Sequence, residues 1–200
     1  DIDISVKSTT NPDAPGTLIT AQEDLKNPGI RFITGKKGQT TFSVSSALMV
    51  DQDGVAADIL DVCKRAGISI DAITTSECAL VFSMDQKDAD NEHLLASLQK
   101  YGSVERQDNM ALVCCIGNSM ADKKGLLAWL SGILAAEGIN IAFDGGDGKR
   151  NITFIIEDMD FESAVRALHK GYFLSYEVSV RKVVRGLVEN FAPEHIGLIK

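Results

Sequence analysis

Residues 54–70 read GVAADILDVCKRAGISI, and seventy-one positions later residues 125–141 read GLLAWLSGILAAEGINI. Both stretches open on a glycine, carry apolar residues at helical spacing, and leave through Gly-Ile-x-Ile without a gap between the copies. Met49 and Met120 extend the same offset upstream. Self-similarity at a fixed period marks a duplicated structural unit.

In the first copy Val55, Ile59, Leu60, Val62 and Cys63 form one stripe of a helix. That helix stops at Gly67, which suits the left-handed residue that ends many helices. A strand is expected before it, at Thr41–Ser46, and two after it, at Ile68–Ile73 and Ala79–Met84. The second copy places the matching strands at Leu112–Ile116, Ile139–Phe143 and Asn151–Ile156. Second helices follow at Asn91–Tyr101 and Phe161–Tyr172, and Ser103–Gln107 supplies a fourth strand to the first copy. The order β-α-β-β-α-β is that of an α+β, ferredoxin-like unit, an antiparallel sheet with helices on one face. The fourth strand of the second copy has two candidates, Ile30–Thr34 and Tyr176–Val184, and spacing does not choose between them. The chain therefore divides into a connector (1–27), a strand that would complete the second unit (28–37), a first unit (38–109), a second unit (110–186) and a tail (187–200).

The composition is 44% hydrophobic and 24% charged, with a net charge of −8. That is the balance of a globular chain, and its acidity argues against nucleic-acid partners, which require a basic face. No apolar run reaches the ~18–20 residues that span a bilayer. The start Asp1-Ile2-Asp3-Ile4 lacks a signal peptide's basic and apolar segments and reads as a cut inside a longer protein. Cys63, Cys78, Cys114 and Cys115 have no metal-type spacing and are expected as core thiols in a reduced, cytoplasmic setting. Phosphate-loop, dinucleotide, nucleophile-elbow and zinc motifs are all missing, and nothing pairs a nucleophile with a base. The run Asp144-Gly145-Gly146-Asp147-Gly148-Lys149 lies between strands rather than before a helix, so it reads as a flexible hairpin instead of an anion cradle.

Residues 6–19, VKSTTNPDAPGTLI, resemble the segment that closes the catalytic domain of aspartate kinases. Residues 67–77, GISIDAITTSE, are similar to the signature of the first of their two regulatory ACT domains. Residues 138–141, 151–156 and 164–169 repeat the pattern in the second copy. The resemblance implies an allosteric region that binds a free amino acid and mediates feedback inhibition, with lysine first and threonine second as effector. It also implies a homodimer formed through ACT domains. No cofactor is implied for this stretch; ATP and magnesium belong to the kinase domain that would precede it. Val55-Ala56 stands where lysine-sensitive relatives often carry Phe-Leu, which keeps open an alternative: a structural dimerisation module with no effector site.

The residues themselves suggest how a zwitterion would be held. The helix opening at Gly54, Val55 and Ala56 offers unpaired amides and partial positive charge to a carboxylate. Strand two is expected to end opposite that opening, so that Asp71 and carbonyls near Ser69 accept from the ammonium. Asp71 or Glu77 would take a second ammonium if the ligand is lysine. With the resemblance added, the effector set is Met49, Asp51, Gln52, Gly54, Val55, Ala56, Ser69, Ile70, Asp71, Ser76 and Glu77. A second set in the other copy is Gly125, Leu126, Asn140, Ile141 and Asn151.

Overall fold

Four of the expected strands are fused in pairs. The computed structural model describes residues 2–21 and 28–173. Its elements in chain order are β1 (Ile4–Val6), β2 (Thr17–Ile19), β3 (Gly29–Ser45), α1 (Leu48–Asp51), α2 (Val55–Arg65), β4 (Ala72–Thr75), β5 (Ala79–Asp85), α3 (Gln86–Ala89), α4 (Glu92–Leu98), β6 (Ser103–Asn118), α5 (Leu126–Ala136), β7 (Phe143–Gly145) and β8 (Asn151–Glu157). Residues 161–173 are helical. β3 contains both Ile30–Thr34 and the first strand of copy one. β6 contains both the fourth strand of copy one and the first strand of copy two.

The two long strands pair antiparallel along their whole length at the centre of one six-stranded sheet, ordered β4-β5-β3-β6-β8-β7. Each copy thus has the four-strand order of a ferredoxin-like unit. Copy two takes its fourth strand from the segment that precedes copy one, because Ile33, Thr34 and Gly35 pair with Cys115, Cys114 and Val113. The competing candidate, Tyr176–Val184, lies outside the described residues, as do the tail and residues 22–27.

The pairing carries a symmetry. Gln39 pairs with Met110, its own equivalent seventy-one positions on. Phe42 opposite Arg106 is matched by Gly35 opposite Val113, and Ser45 opposite Ser103 by Phe32 opposite Ile116. A local two-fold axis therefore passes between Gln39 and Met110 and relates the copies. The two irregularities that flank the Gln39–Met110 pair obey it, and Gly38 (φ +68°) and Asn109 (φ +58°) are both left-handed.

Each copy has its own core between sheet and helices. Phe42, Ile59, Phe82, Leu94 and Leu98 fill the first, and Val113, Trp129, Leu130, Phe154 and Leu168 fill the second. The opposite face is closed by the sheet itself. β4 and β7, at its two edges, curl back until a Cβ placed on Gly145 would lie 3.4 Å from the Ile73 carbonyl oxygen. This encloses a third, more polar layer of Gln39, Thr41, Ser83, Met110, Thr153 and Ile155.

Three expectations need correction. The second strands begin late, at Ala72 and Phe143 instead of Ile68 and Ile139. The amides of Ile68 and Ile139 are spent closing the preceding helices, on Cys63 and Leu134 carbonyls at 3.0 Å, so ladder bonds start with Asp71 and Ala142. Within the connector, β1 and β2 pair as a small antiparallel sheet. The 144–149 hairpin is pinned: Asp147 Oδ1 accepts from the amides of Lys149, Arg150 and Asn151, and Asn151 Oδ1 accepts from Asp147 N at 2.8 Å. Those amide bonds, with Arg150's first, hold the Asp147 carboxyl below its usual range. Finally, Cys78 is exposed. Cys63 and Cys115 are buried as expected, and burial pushes their thiols up to about 11 and about 12.

Candidate functional site

Among the described residues, no side chain caps the helix opening of either copy. Gly54 (φ +85°) and Gly125 (φ +76°) are the N-caps of α2 and α5, and neither helix has a side-chain cap. A residue with a Cβ is strained at such angles, so the repeat's leading glycines are explained by backbone conformation. Nothing lies within 4 Å of a Cβ built on Gly54, so close packing is not the reason. At α5 the Leu126 amide bonds the Lys123 carbonyl and the Trp129 amide bonds the Gly125 carbonyl. The amides of Leu127 and Ala128 remain the orphan donors of a first turn.

The two openings differ in what faces them. Met49, Gln52, Gly54, Val55 and Ala56 line a shallow cavity of about 240 Å³. Their equivalents Met120, Gly125, Leu126 and Leu127 belong to a cavity of about 670 Å³. Its opposite wall is β4 of the first copy, Ile73, Thr74 and Thr75, and its rim is Asp144, Gly145 and Gly146. The copies thus build this cavity together, the signature strand of one against the helix opening of the other. The sequence pattern points to Gly125 and Leu126 and not to Ile73, Thr74 and Asp144, because nothing in a single strand's pattern says which helix it will face.

Asp71 is the main correction. α2 opens at the Ser45 end of β3, whereas Asp71 donates its amide to Ser83, which pairs with Thr41. The two lie at opposite ends of the copy-one strands, separated by roughly 15–20 Å of strand, because a helix that returns to the start of the sheet delivers the next strand at the far end. Ser69 and Ile70 precede Asp71 at that same far end. Ser76 and Glu77 lie in the β4–β5 turn, near the opening, where Ser46 N bonds the Cys78 carbonyl. Asp51 is the last residue of α1. In the second set, Asn140 and Ile141 line a different cavity from Gly125 and Leu126, and Asn151 holds the pinned hairpin.

Asp71 instead binds within the chain. Lys36 Nζ lies 2.9 Å from Asp71 Oδ2 and 2.5 Å from Asp85 Oδ1, while Gln39 Nε2 donates to Asp85 at 3.0 Å. Next door, Lys37 reaches Asp158 of copy two at 3.2 Å. Adjacent lysines at the joint therefore hold a carboxylate from each copy. The hydrogen bonds to Asp71 and then Asp85 raise Lys36, and the bond from Lys36 lowers Asp85. A lowered carboxyl stabilises the fold above its unfolded value, near 3.8, and that contribution is lost as pH falls through the folded value. Lys36→Met is expected to cost about 0.5–1 kcal/mol at neutral pH and to flatten stability against pH below about 4. Urea unfolding at pH 7 and pH 3 reads both effects.

The sequence matches the ACT domain family over residues 42–91 and 113–172, in two segments that coincide with the two copies. The chain belongs to the ACT domain family. Its ACT units resemble those of aspartokinases. Aspartokinase 1 of Arabidopsis thaliana, a chloroplast protein, is 29% identical over 188 residues, covering 90% of this chain and 33% of the relative. The aspartate kinase of Clostridium acetobutylicum, described as an allosteric enzyme, superimposes with a TM-score of 0.75 at 28% identity, over 84% of this chain and 41% of that one. Aspartokinase III of E. coli, in complex with lysine and aspartate in a T-state, gives a TM-score of 0.70 at 30% identity, over 86% and 39%. The ACT chain spans about a third of the length of the curated relatives it matches.

Proposed function

We propose that this chain is the allosteric region of an aspartokinase and that it binds a free amino acid, lysine first and threonine second. One observation carries the reading: the uncapped opening of α5 faces the signature strand of the other ACT unit across a cavity of about 670 Å³. A carboxylate would sit on the Leu127 and Ala128 amides, where the helix end is partly positive, with Lys124 beside it. The ammonium would turn to Asp144 and the free edge of β4. Each charge-assisted bond is worth roughly 1.5–3 kcal/mol. Lysine is favoured because the E. coli relative of known structure holds it.

Effector bound there touches both ACT units, so it stabilises one arrangement of the pair over others. Such differential binding is the thermodynamic content of feedback control. Phosphoryl transfer, with its ATP and magnesium, is assigned to the part of such an enzyme outside this chain. The α2 opening has only a shallow cavity of its own, and Asp71 lies at the far end of its unit. A second chain that laid its β4 against α2, as β4 lies against α5 here, would give the α2 opening the facing strand wall that the α5 opening already has. That is the geometric argument for a homodimer with effector at its seam.

Calorimetric titration with lysine and with threonine is expected to show saturable binding of at least one. Ala128→Trp, an exposed position at the α5 opening, should weaken it more than tenfold, and the equivalent Ala57→Trp at α2 less than threefold. The reverse pattern would move the site to α2. A folded chain silent to both amino acids would leave the structural dimerisation reading.

A further inference from the structure

The local two-fold exposes a difference between the copies. Lys36, Gln39, Asp71 and Asp85 of copy one correspond to Gln107, Met110, Ala142 and Glu157 of copy two. The match rests on pairing: Gln39 is opposite Asp85 as Met110 is opposite Glu157, and Asp71 N bonds Ser83 O as Ala142 N bonds Ile155 O. In copy one the Lys36 side chain occupies the space, its ammonium clasped by two carboxylates. In copy two no lysine among the described residues reaches in, and the equivalent residues line an open cavity of about 720 Å³.

The chemistry of that cavity has been kept while its occupant is gone. Glu157 retains the Asp85 carboxylate on a longer arm. Asp108, where copy one has Lys37, adds a second carboxylate, and the described lining includes neither lysine nor arginine. Burial works to raise the Asp108 carboxyl, but bonds from the Thr40 hydroxyl (2.6 Å) and Arg106 Nε (2.8 Å) outweigh it and hold the carboxyl below its usual range. Met110, Ile141 and Met159 supply apolar surface. Gln39, the cross-strand partner of Met110 on the same sheet face, is fully buried, and its Oε1 has no hydrogen-bond partner among the described residues. That acceptor sits on the strand paired with Met110, next to the lining and not part of it.

We propose that this cavity binds a small organic cation, a primary ammonium on an aliphatic stem, in the place that Lys36 fills in the other copy. The site is separate from the α5 opening; it takes in Asn140 and Ile141 of the second expected set, but it rests on the copy-one clasp and not on the proposed effector site. It is tested by titrating the chain with 1,5-diaminopentane, followed by calorimetry and by amide NMR shifts. Saturable binding is expected, with shifts at residues 107–110 and 140–142. Glu157→Gln should weaken it at least fivefold. Gln107→Lys with Ala142→Asp, which rebuilds the copy-one clasp, should weaken it more than tenfold while the chain stays as stable as before. Ala128→Trp should leave it unchanged. Absence of saturation, or affinity untouched in a folded Glu157→Gln chain and in the clasp variant, overturns the proposal.

Discussion

Trp129→Ala lowers the unfolding free energy by about 3–5 kcal/mol, the cost of a large side chain deleted from a packed core. Trp129 is 2% exposed on α5 and its ring lies 5.5 Å from that of Tyr172. Tyr172 in turn accepts the Ile30 amide on its hydroxyl at 2.9 Å. The indole is thus packed against the residue that ties the start of β3 to copy two, and little nearby can collapse to refill the space. The loss should appear as one shifted urea transition rather than separate melting of copy two, because β3 and β6 run through both copies. Two resolved transitions would mean that the fused strands do not couple the units. A loss below about 1 kcal/mol would mean that the second core is not packed around Trp129 as described.

Gly117→Ala is expected to be nearly as severe, at about 3 kcal/mol. A Cβ there would lie 2.0 Å from the Gly29 carbonyl oxygen, 2.7 Å from its carbon and 2.8 Å from Ile30 Cα. All three are backbone atoms of the paired strand, so no rotamer change relieves the clash and β3 must lift away from β6. Copy two then loses the end of its fourth strand. Hydrogen exchange should rise at residues 29–35 while 39–45, in copy one, stay protected. Equal loosening of both ends would show that the second unit does not depend on this docking. Gly38→Ala is the control: a Cβ there meets nothing within 4 Å, and only its positive φ is strained, at about 1 kcal/mol.

Much of the fold was legible because a duplication reports on itself. The matched glycines, the apolar stripe from Val55 to Cys63 and the strand runs predicted two like units, and the cores contain those residues. The helix openings were legible too, since a glycine followed by a helical stripe with no Ser, Thr, Asp or Asn at the cap leaves first-turn amides free. Asp71 was misplaced for a physical reason. Strand two does end toward the α2 opening, but β4 begins at Ala72, so Asp71 stands at the strand's start, the far end to which the returning helix delivers the chain. Ile73, Thr74 and Asp144 were missed because they act on the other copy's helix.

What the amino-acid order determined alone was local: which residues turn, which face inward, and that one unit is written twice. Side-chain periodicity encodes a face, and a glycine encodes a backbone angle, whatever the rest of the chain does. Partner choice was decided only in three dimensions. Residues 30–34 carry the same β-rich pattern whether they pair with Cys114 and Cys115 or with nothing. It took the two-fold pairing of β3 with β6, and the curl that brings β4 to β7, to give copy two its fourth strand and to place a helix opening of one copy against the strand of the other.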